Sequence, residues 1–326
     1  MTWLVWRQHR AQLYIGAALL AALAVLLLVT GLQVASQYHS ALVTCTASHS
    51  CANLANTVFL GSHAVGFLVI MTLGAPALVG LFLGAPLVAS EFETGTSQFA
   101  WMQSVTRQRW LAVKVGWMLL AAAVWGGAIS GLVTWWSGPD NALQLDAFKT
   151  GRFDIMGIVP VGYALFAMAL GIAAGTLLRR TLPALAVTLA GFIAVRATIA
   201  LWLRPSYMSP VTVTYKLISG YTPPGSAWQI TQGIRGPNGH LIPAPNGAAV
   251  DGVPLGFLPH SCAAPGRGIS GVTPSCQQAL ARFHGFITFQ PASRYWAFQG
   301  IETGIFLALA AALIAVAAVV LLRRDV

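Results

Sequence analysis

Six long apolar runs separated by short polar stretches organise the chain, at residues 11–32, 64–89, 111–136, 155–178, 183–203 and 297–322. Each reaches the roughly 20 residues that a helix needs to cross a hydrocarbon core. The pattern therefore predicts an all-α polytopic membrane protein with six transmembrane helices. Between the fifth and sixth runs the period changes: SPVTVTYKL alternates Val211, Val213, Tyr215 and Leu217 against Thr212, Thr214 and Lys216. That is a strand signature, and Phe286 to Phe289 fits a second strand. Turn formers, among them Pro223-Pro224-Gly225 and Pro237-Asn238-Gly239, punctuate the interval. Three regions are expected: 1–203 with transmembrane helices 1–5, 204–295 as an extracytoplasmic cap, and 296–326 with helix 6 and a cytoplasmic tail. The cap reads either as a small domain with some β or as an irregular loop pinned by one disulfide.

Ahead of the first run, residues 1–12 read as an N-terminal interfacial segment, with Trp3 and Trp6 at headgroup depth and Arg7 and Arg10 reaching water. A cleaved signal peptide is the competing reading, but the apolar run is too long for an h-region.

Composition agrees with a lipid-facing surface: 56% hydrophobic residues, 8% charged, and a mean hydropathy of +0.71. A net charge of +10 would point to nucleic acid in a soluble domain. Here the basic residues stand in ones and twos at the ends of apolar runs, with no basic face interleaved with aromatics, which argues against nucleic-acid binding. They read as topology signals. Arg7, Arg10, Arg107, Arg109, Arg179, Arg180, Arg323 and Arg324 share one side of a six-span arrangement, whereas residues 33–63 hold no Lys or Arg. By the positive-inside rule both termini are cytoplasmic and the protein sits in the cell membrane.

All four cysteines, Cys45, Cys51, Cys262 and Cys276, then fall outside the cytoplasm. An oxidising exterior favours disulfides, and the local pairs Cys45–Cys51 and Cys262–Cys276 close short loops, although four cysteines permit three connectivities. A metal site using Cys45, Cys51, His39 and His49 lacks regular ligand spacing.

Within the second run, Gly-Ala-Pro occurs twice, ending at Pro76 and Pro86, and each proline can kink the helix. A bent helix shaping a cavity and close packing through Gly80, Gly84, Gly171 and Gly175 are both open readings. Two charges, Arg196 and Glu302, lie at matching depth inside the fifth and sixth runs. An intramembrane ion pair is the economical explanation, serving as a lock or as a gate.

No GxxxxGK[ST], HExxH, CxxC or GxSxG occurs, so the chain carries no recognisable machinery of its own for ATP hydrolysis or other covalent chemistry. The most polar inner connection is EFETGTSQFAWMQSVTRQRW. There Glu91 and Glu93 end a helix, Gly95 permits reversal, and Thr96 to Gln103 fit a short helix anchored by Phe99 and Trp101. Thr106 is placed to cap the third helix. Such an element suits a seat in a cytoplasmic motor, and equally an ordinary anchored loop.

The chain resembles the membrane subunit of ABC exporters of the type-2 permease family, in its six-helix actinobacterial branch. Glu91, Glu93, Gly95 and Thr96 match its Glu-hydrophobic-x-x-Gly-Thr segment, Trp101 and Gln103 its Trp-x-Gln, and Thr106, Arg107, Arg109 and Trp110 its Thr-Arg-x-Arg-Trp. Similarity also covers Thr2 to Gln8 and PASRYWAFQGIE at the start of the sixth run. The resemblance implies a permease paired with a second copy or a paralogue and with two ABC ATPase subunits, on which ATP and Mg are bound. No cofactor is expected in this chain. It implies a coupling helix near 91–105, with Glu91 and Glu93 contacting the ATPase, Gly95 and Thr96 setting the turn, Phe99, Trp101 and Gln103 seating it, and Arg107 and Arg109 holding helix 3 at the lipid headgroups. The expected function is ATP-driven export of a lipophilic substrate (drug, peptide or lipid), the chain itself not being an enzyme. A stand-alone secondary transporter, and a membrane enzyme or sensor acting through its outer domain, are the alternatives.

Overall fold

The computed structural model describes residues 2–48, 63–94, 107–137, 148, 151–219, 221–223, 227–242, 249–250, 253–254, 258 and 274–323. The chain divides into two compact units, one of residues 1–145, 149–207 and 296–326, the other of residues 146–148 and 208–295.

In the larger unit, six helices among the described residues are long and apolar enough to cross a membrane. Helix α1 spans Thr2–Ser48 without a break. The residues read as an interfacial segment run into the span as one helix, since no proline or capping residue lies between Arg10 and Tyr14. The second span is composite. Helix α2 (His63–Val79) contains Pro76, passes through a π turn at Gly80–Gly84, and resumes as α3 (Ala85–Glu93) with Pro86 in its first turn. Both prolines thus flank a stretch of non-α hydrogen bonding, the kind of irregularity that bends helices. Helix α4 (Arg107–Trp136) forms the third span. A short helix α5 (Arg152–Ile155) leads into α6 (Val159–Leu178), the fourth span. The fifth, α7 (Thr181–Thr198), continues through a π turn and then a 3-10 turn ending at Ser206.

Helix α6 is the most enclosed span and α1 the least. Small residues explain the central position of α6: Gly171 lies against the backbone of Gly80 and Ala85, and Gly175 against the Ala85 carbonyl. Backbones approach closely where no side chain intervenes, and in lipid such packing takes over from the hydrophobic effect as the glue. Around this seam Val79, Leu87, Val88, Met118, Met168 and Ile172 form a buried cluster. Helix α1 attaches to α4 through indole hydrogen bonds, Trp136 Nε1 to Thr30 Oγ1 at 3.2 Å and Trp125 Nε1 to the Gly16 carbonyl at 3.4 Å.

The smaller unit holds β1 (Val211–Lys216), β2 (Trp228–Arg235), β3 (Leu241–Ile242), the two-stranded ribbon β4 (Ala249–Val250) and β5 (Val253–Pro254), helix α8 (Pro274–Leu280) and β6 (His284–Gln290). Four strands form an antiparallel sheet in the order β1-β6-β2-β3. Leu217, Val253, Cys276, Leu280 and Phe283 build its core. The reading of 204–295 as an irregular loop is thereby replaced by a small β-containing unit. Cys276 is buried and disulfide-bonded, its partner lying outside the described residues, as do Cys51, Cys262 and the side chain of Cys45. The chain re-enters the larger unit as helix α9 (Tyr295–Arg323), the sixth span.

Candidate functional site

A buried polar network joins five elements of the membrane unit. Arg204, at the end of the fifth span, donates from Nε to Glu302 Oε2 at 2.8 Å and from Nη2 to Glu302 Oε1 at 2.6 Å, a bidentate fork on α9. The same Nη2 reaches Asp154 Oδ1 of α5 at 2.5 Å. Arg196 makes an ion pair with the other Asp154 oxygen at 3.3 Å and donates from Nη1 to the Leu73 carbonyl at 2.8 Å, in the helical turn that Pro76 weakens. Between the carboxylates sits the Tyr163 hydroxyl, 3.0 Å from Asp154 Oδ1 and 2.5 Å from Glu302 Oε1, donating its single proton to one of them at a time. Tyr207 adds a donor to Glu302 at 3.3 Å.

Two arginines thus face two carboxylates, and Arg204, Glu302, Asp154 and Tyr163 are each at most 5% exposed. Burial alone would push Asp154 upward, yet Arg204 and Arg196 together outweigh it and hold the carboxyl below its ordinary range. Burial raises the Tyr207 phenol, and the neighbouring Glu302 charge adds to the rise. Phe153 lies under the Arg204 guanidinium at 4.3 Å and Tyr163 under Arg196 at 4.8 Å, so both cations also stack on aromatic faces.

The turn carrying Asp154 is fixed from α9. Gln299 Oε1 accepts from the backbone N–H groups of Ile158 and Val159 at 3.0 Å each, capping α6 from another helix, while its Nε2 donates to the Phe153 carbonyl at 3.0 Å. Gly157 makes this possible: its φ is +71°, and a Cβ there would stand 2.7 Å from Gln299 Oε1.

A second cluster clasps the other end of the second span, 18 residues beyond Leu73 and so roughly 27 Å along a helix. Lys114 of α4, 1% exposed, donates to Glu91 Oε1 at 2.5 Å. Glu93 accepts from the Thr181 backbone N–H at 2.9 Å and from its hydroxyl at 2.5 Å, capping α7 in trans. Arg179, with φ of +53° at the end of α6, lies over the Phe92 ring at 5.0 Å.

These positions correct one expectation. Arg196 and Glu302 do not pair directly; Asp154 and Arg204 stand between them as the matching charges, because the α5 turn and the last turn of the fifth span bring a nearer partner to each. Glu91 is buried against Lys114, while Glu93 is exposed and accepts from Thr181, so both acids join helices together. Gly95, Thr96, Phe99, Trp101 and Gln103 lie outside the described residues, as does the side chain of Arg107; Arg109 is exposed on α4. Asp154, Tyr163, Arg204, Gln299 and Lys114 were not singled out from the sequence. Lys114 carried the clearest signal, a lone cation one turn inside an apolar span that demands an acid.

The Glu91–Lys114 pair makes a first prediction. Lys114→Met leaves Glu91 buried without its cation, whereas Lys114→Met with Glu91→Gln removes both charges, so the double variant should melt closer to the parent than the single one. Equal melting temperatures for the two would deny the pair its role.

A family model described as ABC-2 membrane transporter related matches residues 17–204. No curated protein and no solved structure matches the chain.

Proposed function

Because the chain belongs to the ABC-2 membrane transporter related family, we propose that it is the membrane subunit of an ATP-driven exporter that provides the path for a lipophilic drug, peptide or lipid. In this reading two ABC ATPase subunits bind ATP and Mg, and a second permease copy or a paralogue completes the pore. Both termini face the cytoplasm, with Arg109, Arg179 and Arg180 at the anionic inner leaflet. Cys276 pairs with Cys262 and Cys45 with Cys51 on the oxidising side.

The clasp at the end of α3 carries this proposal. Residues 95–106 emerge from a helix end bonded to α4 through Glu91–Lys114 and to α7 through Glu93–Thr181, and stacked on Arg179 at the end of α6. A push on the loop is therefore delivered to four spans at once. Glu91 and Glu93 transmit it, and the ATPase seat falls to the segment from Gly95 to Gln103, where Phe99 and Trp101 supply the apolar anchors. Between the clasp and the buried network, the π turn at Gly80–Gly84 is the place where the second span can flex.

The test replaces residues 96–103 by a Gly/Ser segment of equal length and reconstitutes the chain with the ATPase from the neighbouring reading frame. Membrane insertion should be unchanged, and ATP-dependent substrate efflux from proteoliposomes should fall at least about tenfold, as expected when a positioning contact is lost. Undiminished efflux would refute the placement of the coupling element.

A further inference from the structure

The smaller unit carries a cleft of about 640 Å³ between the β2–β3 hairpin and helix α8, a volume in the range typical of small-molecule sites. Its geometry follows from the hairpin turn. Gly236 N–H donates to the His240 carbonyl at 3.0 Å and Gly239 N–H to the Gly236 carbonyl at 2.9 Å. Gly239 has φ of +76°, which favours glycine, and so the Pro237-Asn238-Gly239 tip folds back toward α8.

The two sides of the cleft differ in chemistry. Ile242 and the buried Phe283 form an apolar wall, and Leu241 stands 65% exposed at the hairpin. Arg282, His240, Asn238 and Gln278 supply polar groups at the opening. Among the described residues, none of these four side chains is engaged in a hydrogen bond or ion pair. No described lining residue is acidic. In the same sheet Lys216 of β1 and Arg235 of β2 flank His284 of β6.

We infer that this cleft binds an anionic amphiphile, a molecule with one carboxylate head and a short alkyl chain. The head takes the fork of Arg282, with His240, Asn238 and Gln278 as further donors, while the chain lies along Ile242 and Phe283. The site lies wholly within the smaller unit and does not depend on the ATPase partnership.

Octanoate is the probe, titrated calorimetrically into the full-length chain in nanodiscs of neutral lipid. Binding should saturate at one site per chain and weaken about tenfold or more in Arg282→Gln, with the melting temperature of that variant unchanged. Octanol, inorganic phosphate and octyltrimethylammonium, which lack the head, the tail and the charge sign respectively, should each bind more weakly than octanoate. Heats that never saturate, or that are the same in Arg282→Gln, would mean partition into lipid and overturn the inference. Phosphate binding as tightly as octanoate would overturn it too, reducing the cleft to a plain anion site.

Discussion

Replacing Arg204 by glutamine should lower the stability of the membrane unit by about 3–5 kcal/mol, the cost of leaving a buried charge without its partner. Among the described residues Arg204 is the one cation that touches both carboxylates, Glu302 by a two-point fork and Asp154 from the same Nη2. Without it Glu302 keeps, among the described residues, the hydroxyls of Tyr163 and Tyr207, while Asp154 retains Arg196 at 3.3 Å. Arg196→Gln should therefore cost less than Arg204→Gln, and Arg204→Gln combined with Glu302→Gln should recover part of the loss. Thermal unfolding of the full chain in nanodiscs, followed by tryptophan fluorescence, gives the order. If Arg204→Gln melted like the parent, the network would not hold α5, the fifth span and the sixth together.

The second large effect is expected from a single methyl group. A Cβ on Gly171 would stand 2.4 Å from the Gly80 carbonyl oxygen and 2.6 Å from the Ala85 nitrogen, and these are backbone atoms that cannot rotate away. Gly171→Ala must push α6 and the second span apart at the π turn. A loss of about 1–3 kcal/mol follows from the known cost of overpacking, and efflux should fall with it, since the same seam joins the clasp to the helices it moves. Gly74→Ala is the control: nothing lies within 4 Å of a Cβ at that position, so its melting temperature should match the parent. Indistinguishable behaviour of the two variants would mean that the seam is not tightly packed.

Spans were legible because lipid imposes a rule that composition alone expresses, roughly 20 apolar residues per crossing. The first strand was legible for a related reason: alternating Val and Thr in β1 leaves one residue in two on each face. Strand β2, WQITQGIR, escaped notice because polar residues interrupt its alternation and a register shift lies between Gln229 and Thr231. The ion network was half visible. Arg196 and Glu302 stood out as charges in apolar runs, but Asp154 and Arg204 looked like loop and boundary residues until the α5 turn and the final turn of the fifth span folded inward. Depth along a helix, read from residue counts, cannot say which of several nearby charges will meet. For Glu91 and Glu93 the position was read correctly as the end of a helix, but their partners, Lys114 and Thr181, are brought in by tertiary packing alone. Pro76 and Pro86 now have a structural setting on either side of the Gly80–Gly84 turn.

Everything proposed for transport rests on the inner connection being gripped by an ATPase. The direct measurement is site-specific cross-linking from Phe99→Cys and Gln103→Cys in the native membrane, with the products identified by mass spectrometry. Adducts to a soluble ATPase subunit that change in yield when ATP is hydrolysed are the expected result. Labelling of the same cysteines by a membrane-impermeant reagent added outside the cell, with no adduct to any ATPase, would contradict it.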